Sequence, residues 1–166
     1  MSAMLHQALM ASYAQSGGGG GGGFSGRYWR LFVTASNGGT FMIVSEWYLR
    51  FSGVDLTTSG KVYDAESAVF STTAAGLFDG LTENWFEGWA TNAPSSGNPR
   101  WASIDFGSSV TVDEVALTVA GAPATESPRD FEIQYSNDNS NWTTAISVTN
   151  ETAWTGGIAG IKSFVL

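Results

Sequence analysis

The chain has 166 residues, 43% of them hydrophobic and 13% charged, which is enough apolar material for one buried core and one domain. Its formal net charge is −8, and its seven Lys and Arg are scattered without a basic stripe, which excludes a nucleic-acid binder. It has no cysteine, so disulfide staples and thiolate chemistry are excluded too.

The first predicted element is a short helix over residues 3–14, "AMLHQALMASYA". Met4, Leu5, Ala8 and Leu9 recur at helical spacing and form an apolar stripe. A helix this short is marginal alone in water, so the stripe calls for a partner surface in this chain, a sister subunit or a larger assembly. Seven consecutive glycines, Gly17–Gly23, follow it; as a free coil they span roughly 15 Å. No Gly-Lys-Ser/Thr follows, so this is not a phosphate-binding loop. The pattern divides the chain into an anchor (1–16), a tether (17–26) and a domain (27–166). The first 26 residues hold no Lys or Arg, and "AMLHQALMA" is too short for a secretory signal. No run approaches the ~20 apolar residues of a membrane span. The expectation is a product made in the cytosol, released if at all by a route such as virus assembly and lysis.

From residue 27 the period is that of strands. "RYWRLFVTAS" places Trp29, Leu31 and Val33 on one face, and "SNGG" supplies a turn. "TFMIVSEWYLRF" reads as one strand with Phe41, Ile43, Trp47, Leu49 and Phe51 inward and Glu46, Tyr48 and Arg50 opposite. "WASIDFG" reads as a short strand ending at glycine. "TVDEVALTVAG" aligns Val115, Leu117 and Val119. "RDFEIQYS" aligns Phe131, Ile133 and Tyr135, with Glu132 and Gln134 facing water. "NDNSN" is a turn in which Asn139 can adopt the left-handed conformation. "WTTAISV" and "IKSFVL" complete at least seven strands. With no long helix between strands, the fold class is all-β, an antiparallel β-sandwich.

The single histidine, His6, lies on the anchor, so neither a Ser-His-Asp relay nor a histidine metal site belongs to the domain. No two of the 15 acidic residues stand out as a glycosidase pair, and the reading is non-enzymatic. The loop "NWFEGWATNAPSSGNPRW" (84–101) is the richest in recognition chemistry. Phe86, Trp89, Asn92, Asn98 and Arg100 offer an aromatic face, amides and a guanidinium, the groups that carbohydrate recognition uses. The bland reading is that Trp89 covers the end of the sandwich.

"LFDGLTENWF" (77–86), "PRWASIDFGSSVTVDEVALTV" (99–119) and "PRDFEIQYSNDNSNWTTA" (128–145) together resemble the discoidin, or coagulation-factor C-type, domain. The resemblance implies a galactose-binding-like jelly roll in which Trp85 and Trp101 pack in the core. It also implies a structural Ca²⁺ in the loop at Asp79, with Asn84 nearby; the alternative is a loop capped by the hydrogen bonds of Asp79 itself. No other cofactor is implied. The "RYWRL…EWYLR" pair comes first here, where the family places it last. That circularly permuted order is similar to domains of bacteriophage tail and virion proteins.

These features predict a bacteriophage virion structural protein, either capsid-decorating, head-fibre or tail-associated. Residues 1–16 would dock into a capsid or tail protein, and the domain would meet cell-surface glycans. The alternatives are a lectin-like module or adhesin off the virion, and a homo-oligomer joined through the helix.

Overall fold

The computed structural model describes residues 22–57, 61–82, 87–119, 124–155 and 160–166. In chain order the strands are β1 (Phe24–Ser36), β2 (Phe41–Val44), β3 (Glu46–Phe51), β4 (Val54–Asp55), β5 (Val62–Ala65), β6 (Trp89–Asn92), β7 (Arg100–Val112), β8 (Glu114–Thr118), β9 (Pro128–Ser136), β10 (Thr143–Val148) and β11 (Lys162–Val165). Short 3-10 turns occupy Ala74–Phe78 and Ala124–Glu126. Two antiparallel sheets, β10-β9-β1-β7-β5 and β11-β8-β3-β4, form the sandwich, and β2 and β6 make a separate pair. Among the described residues no helix is long and apolar enough to cross a membrane.

Alternation explains the larger sheet. Trp29, Leu31 and Val33 of β1 are fully buried. Across the ladder Trp29 faces Ile104 and Tyr135, and Leu31 faces Ala102 and Ile133, so three strands contribute one continuous inner row. The facing sheet supplies Trp47, Leu49, Val115 and Leu117, all buried. The inward sets expected for the segments that became β1, β8 and β9 are thus observed, and Asn139 takes φ 58° in its turn.

Four expectations are corrected. The "TFMIVSEWYLRF" segment is two strands, because Met42, Ile43 and Val44 are all buried in succession and the chain changes partner at Ser45. Phe51 sits on the rim, 42% exposed, while Glu46 is only 1% exposed. β7 does not end at Gly107 but runs on to Val112, with Gly107 at φ 76° opposite a register shift in β1 between Gly26 and Tyr28. Finally, β1 begins at Phe24, so residues 24–26, assigned to the tether, pair with Val110–Val112. The predicted anchor with Met4, Leu5, Ala8 and Leu9 lies outside the described residues.

The sandwich has two distinct poles. At one, Phe24 pairs with Val112, and Leu166 N–H donates to Asp113 O at 2.9 Å. The other collects the end of β1, the starts of β3, β7 and β9, and the long connections around β6.

Gly88 shows how closely that second pole is packed. It lies at φ 105°, and a Cβ there would collide with Val44 O and Ser45. Gly88→Ala is therefore expected to lower the melting temperature by many degrees, whereas Gly97→Ala, whose Cβ meets nothing, changes it little. Thermal unfolding followed by circular dichroism checks both.

Candidate functional site

Trp89, Asn92, Asn98 and Arg100, the described members of the sequence-derived recognition set, fall at the second pole, but their side chains have different fates. Trp89 is fully buried, and its indole N–H donates to Ser67 O at 2.7 Å. It packs in the core, so its ring is not a face for a ligand. Arg100 is 9% exposed, and its Nη1 meets both carboxylate oxygens of Glu66 at 2.9 and 2.8 Å. Its Nε donates to Asn92 O at 3.3 Å. Arg100 thus ties β6 to β7 and the Glu66 segment. Asn92 and Asn98 are exposed, the latter closing the 95–98 turn through paired backbone bonds with Ser95. Phe86 and Asn84 lie outside the described residues. Trp101, expected in the core, is directly opposite Phe32 on the outward face of β1, a position taken up below.

The structure adds an aromatic that the sequence reading missed. Phe70 is 45% exposed and meets the ring of Phe41 edge-on at 4.6 Å. Phe70 and Ser71 both lie in the left-handed region, at φ 57° and 62°, in a turn closed by Thr72 N–H donating to Val69 O. A bulky side chain held there is strained, and such strain concentrates at functional sites. Phe41 stands directly across from Asn92 in the β2–β6 pair, so the two share a face. Phe70, Phe41 and Asn92 thus place an exposed ring, backed by a half-buried one, beside an exposed amide.

Close by, Glu46 opens β3 with its Oε1 accepting Gly80 N–H at 2.7 Å. Burial first, and then the adjoining Asp79 carboxyl, pushes the Glu46 acid up to about 8. Asp79 Oδ1 in turn accepts Leu81 N–H at 2.9 Å. Among the described residues no three His, Cys, Asp or Glu come together, so any cation here draws on these two carboxylates and on carbonyl oxygens. That donor set fits Ca²⁺, a hard ion that takes carboxylates and carbonyls together. Glu46, buried beside the exposed Asp79, needs either its proton or a cation to offset its charge.

A depression of about 220 Å³ lies at the opposite pole between Tyr135, Asn137, Asp138 and Asn141. Asp138 accepts Asn141 Nδ2–H, Asn141 N–H, Ser140 N–H and the Ser136 hydroxyl, which hold it well below the ordinary carboxylate range. Its acceptor capacity is spent on shaping the turn.

Unfolded, Glu46 ionises near 4.5; folded, it keeps its proton to about 8. The folded state therefore binds more protons across that window, and metal-free stability is expected to fall as pH rises through it. Glu46→Gln removes this slope, which urea unfolding at a series of pH values checks.

A family model described as a NedA-like, galactose-binding domain of F5/F8 type C matches residues 76–162, just over half of the chain. No curated protein and no solved structure gives a significant match.

Proposed function

The chain belongs to the galactose-binding, F5/F8 type C family, and on that premise we propose that it is a non-catalytic carbohydrate-binding domain. The ligand seats at the loop pole, on Phe70 and Phe41, with Asn92 and Asn98 supplying amide hydrogen bonds. The observation that carries this reading is the exposed Phe70 ring, held in a strained turn beside Asn92. A sugar ring has apolar C–H faces and a polar rim, which an aromatic flanked by amides complements. Ca²⁺ at Asp79 and Glu46 is the structural cofactor in this reading, bracing the 79–81 loop against the start of β3.

A second reading adds where the domain works. Residues 1–16 fasten it to a bacteriophage capsid or tail protein, and the glycine tether holds it clear. This reading is favoured by the entry of the tether at Phe24, at the pole away from the candidate ligand loops. The meeting of the two domain ends at Val112 and Asp113 favours a circularly permuted family order, because a short splice would join them.

A glycan array probed with the full chain tests the first reading. Retention of galactose-containing or other glycans is expected, weakened about tenfold by Phe70→Ala and by Asn92→Ala. Phe70→Gly, which relieves the left-handed strain, is expected to weaken binding as much while leaving the melting temperature near wild type. An array without retained glycans, or binding indifferent to Phe70, overturns the assignment. Addition of Ca²⁺ is expected to raise the melting temperature of the wild type but not of Glu46→Gln, and equal shifts would remove the metal from the reading.

A further inference from the structure

We propose that the outer face of the five-stranded sheet is a second carbohydrate-binding surface, a platform for an extended, neutral polysaccharide chain. This inference rests on the carbohydrate-binding reading above but uses none of its residues. Register fixes which side chains share the face. Tyr28 lies opposite Asp105 and Ser136, Arg30 opposite Ser103 and Gln134, and Phe32 opposite Trp101 and Glu132. The inward residues between them, Trp29, Leu31 and Val33, are fully buried, so this row points away from the core.

Aromatic rings that would ordinarily face inward therefore stand outside. Tyr28, Phe32, Trp101 and Trp142 all remain partly exposed. From Tyr28 to Phe32 the row runs about 13 Å along β1, and from β7 to β10 the face is about 14 Å wide. That area is flat and long enough for several pyranose rings in a line.

Between the rings runs a polar seam. Arg30 has its guanidinium carbon 4.2 Å from the Trp142 ring centroid and 4.9 Å from that of Phe32. Its Nε donates to Gln134 Oε1; Gln134 Nε2 donates to Glu132 at 2.6 Å, and Thr144 donates to the same carboxylate oxygen at 2.7 Å. Four of the five arginines form ion pairs; among the described residues Arg30 forms none and is clamped between aromatic faces instead. A guanidinium held this way keeps donors to offer at fixed positions.

The chemistry selects the occupant. Arg27 is balanced by Asp105 at 2.8 Å and Arg30 by the nearby Glu132, Asp64 of β5 adds an exposed carboxylate across from Ser103, and the whole chain carries −8. An acidic polymer would be repelled and gains no unpaired basic patch. A neutral polyhydroxylated chain stacks its C–H faces on the rings and exchanges hydroxyl bonds with the seam. Gln134 and Ser103, at 8% and 9% exposed, form the floor between the aromatic ridges.

Affinity electrophoresis of the full chain in gels containing laminarin or galactan as neutral probes, and polygalacturonate as the anionic one, tests the proposal. Retardation by a neutral polymer is expected, relieved about tenfold or more by Phe32→Ala, Trp101→Ala and Arg30→Met, and unaffected by Phe70→Ala. Trp142→Ala, at the margin of the face, provides the same readout should Trp101→Ala fail to fold. Failure of both neutral polymers to retard the wild type, retardation by polygalacturonate alone, or indifference to the platform variants overturns the proposal. So does a wild-type dimer in sedimentation velocity that Trp101→Ala dissociates, which would make the face a contact between copies. Loss of all binding in Phe70→Ala alone would leave the loop site standing and remove the platform. Retardation with no small glycan bound at the loop pole would do the reverse.

Discussion

The double pairing of β1 is the constraint from which the rest of the molecule follows. It is hydrogen-bonded along its length to β7 on one side and to β9 on the other, so its inward row fixes the register of both neighbours at once. A slip by one residue would carry Trp29, Leu31 and Val33 out of the core and Tyr28, Arg30 and Phe32 into it. Each fully buried aliphatic in that row contributes about 1.5–3 kcal/mol relative to exposure, whereas burying Arg30 without a partner would cost far more. The register is therefore specified from both faces of the strand. The same specification fixes the order of the outer side chains, which is why the platform is as well defined as the core beneath it.

The loop pole is organised differently, by polar groups that have been buried and satisfied. The Arg100–Glu66 pair sits at a largely buried arginine, and it works by pinning connections that have no ladder of their own. Such a pair adds little net stability but is costly to break from one side. Gly88 lets the backbone approach β2 and the start of β3 to within contact, and Trp89 then fills the space behind it. Phe70, Asn92 and Asn98 are among the described residues that this pole exposes. The elements that hold the pole together and those that it presents are thus separate residues, so the presented set can vary without unfolding the rest.

How much of this was legible in the sequence follows from the same physics. Strands with one wet face, such as β1, announce themselves through period-two alternation, and Asn139 announces its turn by being a residue that tolerates positive φ. The β2–β3 segment did not, because a strand buried on both faces has no alternation and the partner change at Ser45 leaves no Gly or Pro behind. Phe70 and Ser71 were invisible for a related reason: nothing in "AVFST" marks a left-handed turn. Trp89 was read as a ligand face by residue type and Trp101 as core from the resemblance, and each lies on the other side of the division. An aromatic side chain does not state which face of a strand it occupies; only the partner strand does. Glu46 sat in a polar position of its strand yet is buried, because the 79–81 loop, distant in sequence, closes over it.

The arrangement of poles bears on the side from which the chain enters the sandwich. β1 runs from the pole where Phe24 meets Val112 toward the loop pole, so a chain entering at Phe24 is separated from Phe70 and Asn92 by the length of the sandwich. A domain held from that side turns its loops outward and keeps its sheet face clear of the surface that holds it. If the loop site and the sheet face both contact one glycan-coated surface, individually weak contacts would reinforce one another through effective concentration rather than through tighter single sites. A short, rigid connection would fix one angle of approach and allow only one of the two surfaces to engage.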